Sequence, residues 1–566
     1  MDPDEEPTDR SRRIVVGQAE PAVSLAQHLT STLSRWGWRT PIHDLRLRGR
    51  PALRLAAVPT EPVAGDPEAG WAVLEGQFVH DGETLAVADV DLLRPTVSPA
   101  MAAALHGFNW LRDVAAAASH EDAGPIVEYI VRRWLDAQAT TVTPPAWAPA
   151  VCGQRVIAWT FHAPHLLAAG SAGYRTRALN ALVRSARHLD KVADRAAPGV
   201  ERVTAWAGAL VGALLVEGAG RPARASAGLA RALVGAMHAD GGLISRAPAE
   251  QVDLVAVLAR VEAAHVAVGA PMADAIGDAI VRAAPALAGV VLGDGALSSW
   301  QSGRPITAER IAVVIAGSGV RARALAAPHD WGYQRLVAGS LVAVVDAAPP
   351  PMAGPSARGA ASTLAFELSD GPERLVVNCG SGLVGAPEMA AMLRSTAAHS
   401  TLVLADSNST AILPDGHLGR GVGQVAVDRD EGEDQVRLDL SHDGYRRRFG
   451  YDHRRRLIMA ADGSGLEGRD EVVPVPGRSH RAGTVAVRFH LAPGVDATPT
   501  VDGHGVLLRT AGGRAWQFRC TGADVSIDSS LWVDAAGRPR ATRQIVAEAA
   551  VDGAELAIGW SLRRAG

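Results

Sequence analysis

Lysine is almost missing from this chain. Of the 56 basic residues, all are arginine except Lys191. A GC-rich coding sequence produces such a bias, and so does selection for arginine's two-point grip on anions. Cysteine is also scarce: Cys152, Cys379 and Cys520 are far apart and odd in number. That excludes a disulfide framework and a cysteine zinc site. No apolar stretch follows the acidic start MDPDEEPTDRSRR, so no secretory signal is expected and the default compartment is cytoplasmic. Apolar helices are broken by Gly, Arg, Asp or His before 18 residues accumulate, which argues against membrane insertion. A net charge of −4 gives no footprint for nucleic acid. There is no nucleotide-binding glycine loop, no H-E-x-x-H and no G-x-S-x-G, which removes the usual zinc protease and serine hydrolase readings.

What is present describes a folded protein. Hydrophobic residues are 48% and charged residues 20% of 566 positions, enough for two or three cores. Residues 1 to about 20 read as a tail. Residues 40–97 hold short apolar runs broken by Pro and Gly, a small irregular or β-containing leading segment, so that 1–97 precedes the first large domain. From 98 to 335 the spacing is helical. AMAAALHGFNWLRDVAAA, GPIVEYIVRRWLDAQA and RVTAWAGALVGALLVEG are examples, and the last is apolar nearly all round, so other helices must cover it on both sides. Serial helical hairpins of this kind fit a solenoid or a closed α/α toroid. From 336 to 566 the period becomes two. Leu364, Phe366 and Leu368 alternate with other residues, as do Val485, Val487, Phe489 and Leu491, which points to a multi-strand antiparallel sandwich. The boundary is expected near PPPMAGPSARG or slightly before it.

One motif repeats in the helical half: Asp240-Gly241-Gly242-Leu243-Ile244-Ser245 and Asp294-Gly295-Ala296-Leu297-Ser298-Ser299. Asp-Gly after a helix is a stop signal in its own right. The same loops, lying at one end of a toroid, would also bring Arg246 and Trp300 to a shared ligand cleft. In the β half, SHDGYRRRFGYDHRRRL (441–457) concentrates His442, Tyr445, His453 and six arginines. Read as strands, it is either a solvated sheet with arginines guarding its edges or a basic surface for a polyanion.

The strings RLVVNCGSG, LRSTAAHSTLVLADSNST, GHLGRGV, SHDGYRRRFGYDHRRRL and DGSGLEGRDEV, with FNWLRDV and DGGLISRAP further upstream, make the chain resemble the heparinase II/III-like family. The resemblance spans roughly 100–560. It implies an α+β multidomain protein, an N-terminal α/α toroid followed by a C-terminal antiparallel β-sandwich domain. It also implies a polysaccharide lyase acting by β-elimination on an acidic, uronate-containing glycan, in which Tyr or His moves protons while Asn, Arg or His neutralises the carboxylate. Relatives of proven activity work in the periplasm or outside the cell.

The sequence departs from that pattern. The first β motif reads GAASTLAFEL (359–368) without His or Asp, Asn378 stands where an Asp is usual, and only His399 remains of the presumed zinc ligands. No structural zinc or other cofactor is therefore expected. The toroid's Asn-His pair is replaced by Val203-Thr204-Ala205-Trp206-Ala207, and the Tyr expected after D-G-x is absent. If the chain is a lyase, proton transfer falls to His399, Tyr445 and His442, with Arg246, Trp300, Arg446 and Arg448 holding an acidic polysaccharide or oligosaccharide. The alternatives are a glycan-binding or envelope-biogenesis protein of the same fold that has lost lyase activity, and a helical-repeat scaffold for protein partners.

Overall fold

The computed structural model describes residues 12–17, 54–93, 95–168, 170–303, 306–351, 359–381 and 387–565. Among the described residues, eleven helices of eight residues or more carry the first half: α1 (Pro67–Leu74), α2 (Pro99–Gly107), α3 (Trp110–Ala117), α4 (His120–Gln138), α5 (Pro149–Phe161), α6 (Ala172–Val192), α7 (Val200–Leu215), α8 (Pro222–Val234), α9 (Pro248–Val268), α10 (Asp274–Gly289) and α11 (Ala308–Gly317). Many start where the sequence says they must. Ser98, Ser119, Ser171 and Thr307 each accept a backbone N–H of the first turn, and Pro occupies the first turn of α5, α8 and α9, where no amide partner is needed.

Helices α5, α7, α9 and α11 pack side by side, with α6, α8 and α10 packed against them. The crossing of α5 and α7 has no room for side chains. A Cβ on Gly208 would lie 2.4 Å from the Cα of Gly153. That contact is why the all-round apolar α7 carries small residues, and its Trp206, Leu210 and Val211 are fully buried.

Strands follow: β1 (Arg12–Gly17), β2 (Gln77–His80) and β3 (Glu83–Ala86) come early, and the rest run from β4 (Tyr333–Ala338), β5 (Leu341–Asp346), β6 (Phe366–Asp370), β7 (Glu373–Val377), β8 (Leu402–Leu404), β9 (Gln424–Glu431) and β10 (Gln435–His442) through β11 (Tyr451–Ala460), β12 (Gly465–Pro474), β13 (Gly483–Leu491), β14 (Asp496–Pro499), β15 (Gly505–Arg509), β16 (Ala515–Thr521), β17 (Asp524–Val533), β18 (Pro539–Val551) and β19 (Leu556–Arg564). A nine-stranded sheet runs β1-β9-β10-β11-β12-β19-β16-β15-β14. An eight-stranded sheet runs β17-β18-β13-β7-β6-β5-β4, with β8 on β13. The two share one core. At its centre Phe366 stacks on Trp560 with centroids 5.4 Å apart, and Phe489 meets both Trp560 and Phe518 edge-on. The other face of the eight-stranded sheet turns toward the helices: Val342 and Val344 of β5 join the helical core with Trp331 and Tyr333.

Three expectations change. Residues 12–17 are not tail but an edge strand, antiparallel to β9, because Ile14, Val15 and Val16 supply a strand-forming run. Arg446–Phe449 is a short helical turn, not a strand; the chain must reverse between β10 and β11, and Gly450, at φ +86, completes the reversal. Strands begin at Tyr333, three residues ahead of 336, while most of PPPMAGPSARG lies outside the described residues.

The α5–α7 contact is testable. Gly208→Ala should cost about 1–3 kcal/mol through overpacking, read as a lower thermal midpoint. Gly277→Ala, whose Cβ meets only the Met272 methyl at 3.6 Å, should instead be neutral or stabilising by up to about 1 kcal/mol, as expected for removing a helical glycine.

Candidate functional site

The repeated D-G-x-L-x-S loops determine how the two halves meet. Each closes as a tight hairpin, with bridges Met237–Leu243 and Val291–Leu297. Gly241 and Gly295 take the positive φ the turn demands. In each, the Asp side chain caps the turn with one oxygen, accepting from Gly242 N at 3.3 Å or Ala296 N at 3.0 Å. Each Asp also reaches across the junction. Asp240 accepts from the backbone of Asp330 and Trp331 at 2.7 and 2.8 Å, and Asp294 holds the Arg374 guanidinium at 2.8 Å. The recurring serines are spent inside: Ser245 donates to Glu250, and Ser298 donates to Val290 O and accepts from Trp300 Nε1.

Arg246 follows the first loop at φ +53, a left-handed backbone rare for a non-glycine residue. Its guanidinium meets Asp346 at 2.6 Å, donates to the carbonyls of Trp331, Ala348 and Pro349 at 2.8–3.2 Å, and lies 4.8 Å over the Tyr333 ring. Asp346, fully buried, also accepts from Ser362 Oγ at 2.6 Å and Gln301 Nε2 at 3.2 Å. Beside it, the buried Glu367 accepts from Ser299 N and from both the backbone and the side chain of Asn378, whose own Oδ1 accepts from Ser400 N. Trp300 is wholly buried and packs on Tyr333 with ring centroids 5.8 Å apart. Arg246 and Trp300 therefore join the halves and offer nothing to solvent, contrary to the expectation of ligand-facing loops. The cause is their placement opposite β5, where Asp346 is the counter-charge the guanidinium needs.

The other expected residues form separate groups. His399 is buried near Asp346, its Nδ1 2.7 Å from Ser395 O, and burial pushes it down to about 4. His442 and Tyr445 lie in the β core with rings 5.6 Å apart. His442 Nδ1 accepts from Gly444 N, so its Nε2 carries the proton toward His453 Nδ1 at 3.2 Å; His453 in turn donates to Asp470 at 2.7 Å. Arg455 and Trp560 complete the shell of Asp470. Tyr445 donates to Leu402 O at 2.9 Å, and burial raises its hydroxyl well above the usual range. Arg446 is paired with Asp452 in two contacts of 2.6–2.8 Å, and Arg448 is exposed over the Phe449 ring. His399 is thus not brought together with Tyr445, and the arginines face away on the helical turn.

Among the described residues no three His, Cys, Asp or Glu side chains converge as a metal site. The residues present around His399 do not fit zinc: Asn378 has both ends of its amide committed, and Ser362 donates to Asp346.

Among the described residues, two concavities are lined by the helical half and two others lie on the β half alone. A groove of about 480 Å³ runs between the halves, with Asp294, Thr307 and Glu309 on one wall and Glu373, Arg374, Thr510 and Trp532 on the other. Its three carboxylates outnumber one arginine that is already bound to Asp294, and Trp532 Nε1 is buried without a partner among the described residues. A second, of about 80 Å³, lies among α3, α5, α7, α9 and α11. There Glu61 holds Arg260 at 2.9 Å and approaches His162 at 3.4 Å. Burial is the largest single influence and opposes its charge, but Arg260 and His162 together outweigh burial and bring Glu61 down to about 2. Asp346, Glu367 and Trp532 were not singled out from the sequence. A signal existed for the first two: each is a lone acid in an apolar run, LVAVVD and LAFEL, which must be paired if the run is buried.

A family model for the heparinase II/III-like C-terminal domain matches residues 320–561. FtsZ-localized protein C of Caulobacter vibrioides is 31% identical over 546 residues, covering 90% of this chain and 90% of its own. The chain belongs to the heparinase II/III-like family. Among solved structures, heparinase III superimposes with a TM-score of 0.68 at 12% identity, covering 97% of this chain and 93% of its own. Heparan sulfate lyase HepC from Pedobacter heparinus gives 0.56 at 15%, covering 88% and 82%. At these identities the likeness is one of fold.

Two outcomes follow. Asp346→Ala strands a buried guanidinium and should cost about 3–5 kcal/mol, seen as a lower denaturation midpoint. Burial keeps His399, His442 and His453 below the ordinary imidazole value. The unfolded chain therefore takes up protons first as pH falls through about 6.5, and stability should decline from pH 7 toward pH 4. A thermal midpoint that rose on acidification over that window would refute it.

Proposed function

We propose that this chain uses the lyase fold as a glycan-binding scaffold that acts in company with FtsZ, and that it does not break glycosidic bonds by β-elimination. One observation carries the reading. The three side chains expected to move protons are sealed: Tyr445 is buried on Leu402 O, His442 lies in a closed chain to Asp470, and His399 is buried on Ser395 O. A lyase base must reach a carbon-bound proton in an open cleft. The groove supports the same reading, since Arg374, the arginine among its lining residues, is already bound to Asp294 and leaves no unpaired cation there for an acidic polymer, while the partly exposed Trp532 offers an indole face to a sugar ring.

The name of the Caulobacter vibrioides relative supports the FtsZ part. Among the described residues no helix is long and apolar enough to cross a membrane. In this reading the two helix rows form the α/α toroid (98–335) and the paired sheets form the sandwich (336–566), joined by Tyr333–Arg335 and by the edge strand 12–17 of the leading segment 1–97. The competing reading keeps the fold's chemistry. Acidic polysaccharide would then be held by Arg246, Trp300, Arg446 and Arg448 and cleaved by His399, Tyr445 and His442, in a form opened from the one described.

Absorbance of the unsaturated uronate product, followed across a panel of acidic polysaccharides that includes heparan sulfate, separates the two. No rise above the blank is expected; a steady rise abolished by Tyr445→Phe would establish the lyase. Sedimentation with polymerised FtsZ tests the other half, and a chain left wholly in the supernatant would remove it.

A further inference from the structure

Ser530 lies on β17, an edge strand of the eight-stranded sheet, and is partly exposed. Its hydroxyl is 2.7 Å from Nδ1 of His490, a buried residue of β13. The other ring nitrogen of His490, Nε2, sits 3.0 Å from the Ala397 carbonyl. A carbonyl can only accept, so Nε2 carries the proton. Nδ1 then has a free lone pair and accepts from the serine. This is the arrangement of an activated nucleophile: a hydroxyl, a base within hydrogen-bond reach, and a third group that fixes the base's tautomer.

A positive donor stands beside the pair. Arg488 is two residues before His490 and shares its face of β13. Its charge acts on both His490 and Cys379. One of its amino groups is engaged with Gln544 at 3.2 Å, but its Nε is buried and has no partner among the described residues. A buried unpaired guanidinium N–H is costly and is suited to an oxyanion that exists only during reaction. The pair does not line the groove itself but lies two residues along each strand from it. Trp532, two residues beyond Ser530 on the same face of β17, lines the groove between the halves, as does Ala492, two residues beyond His490.

We propose that Ser530, His490 and Arg488 form an acyl-transfer site at the edge of this groove, hydrolysing esters in which an acyl group is carried on a sugar hydroxyl. Ser530 Oγ attacks the ester carbonyl carbon as its proton passes to His490 Nδ1. The carbonyl oxygen becomes an oxyanion and takes up the Arg488 Nε–H. Collapse breaks the bond to the alcohol oxygen, which leaves with the proton from His490. Water then attacks the acyl-serine, gives a proton to His490, and releases the carboxylic acid as Ser530 regains its hydrogen. No oxidant or metal enters the balance. The acyl chemistry stands on these three residues; the sugar as the alcohol part rests on the glycan-binding reading. Cys379 lies 3.5 Å from the same Nδ1 but is buried, whereas Ser530 is partly exposed, so the hydroxyl is the group a substrate reaches.

The full-length chain treated with a fluorophosphonate probe should be labelled at one site, and Ser530→Ala, a change at a partly exposed position, should lose the label while keeping the wild-type melting profile. Hydrolysis of an aryl acetate should fall at least about 10²-fold in the same variant. Arg488→Leu should lower kcat with little change in KM. The acid limb of the rate profile should lie near 3, where burial holds His490, instead of near the ordinary imidazole value. An unlabelled wild-type chain, or labelling that persists in Ser530→Ala, overturns the site. Turnover of the aryl ester without turnover of any O-acetylated polysaccharide keeps the acyl site and overturns the sugar as its substrate.

Discussion

At the junction of the two halves the Arg246 guanidinium and the Asp346 carboxylate meet at 2.6 Å where water does not reach. Neither charge is tolerable there alone, and each is satisfied by groups from the opposite side. Arg246 comes from a helix-end loop but binds carbonyls at the start of the β half. Asp346 ends a β strand but binds Gln301 and, with Ser362, closes the segments around it. The arrangement fixes the two halves in one register, since sliding either would leave a buried charge uncompensated. The second loop repeats the device with Asp294 and Arg374.

That register determines what is left open. With the β4–β7 end of the eight-stranded sheet covered by the loops, the β13-β18-β17 end of the same face keeps polar side chains: Arg488, His490, Gln544 and Ser530. The groove lies where the helical half ends against the β half. A sheet face cannot be polar over half its width and apolar over the other without a partner that stops at the boundary, and here the helical half is that partner.

The family likeness and the side-chain chemistry separate at this point. Solved lyases share the fold at 12–15% identity, which says that the backbone frame tolerates nearly complete replacement of its residues. Function follows the site and not the frame. In this chain His399 and Tyr445 are closed by hydrogen bonds to backbone carbonyls and His442 by His453, while the partly exposed Ser530 lies apart from them on the edge strand of the eight-stranded sheet.

The change of period from 3.6 to 2 near residue 336 located the helical and β halves, because periodicity reports which face of an element is buried and needs no knowledge of partners. Capping serines and first-turn prolines marked helix starts for the same local reason, and the family strings identified the lineage. The sequence alone could not say which arginines would be buried. Arg246, Arg447 and Arg455 look alike in the chain; Arg246 and Arg455 are interior because Asp346 and Asp470 come to them from 100 and 15 residues away, while Arg447 is exposed. Nor could it show that residues 12–17 pair with β9, that the D-G-x-L-x-S loops face a sheet instead of a ligand, or that Ser530 meets His490 across 40 positions. Local propensity is set by neighbours along the chain. Which charges are paired, and which hydroxyl finds a base, is set by contacts between residues the chain holds far apart, and only the packed tertiary structure decides those.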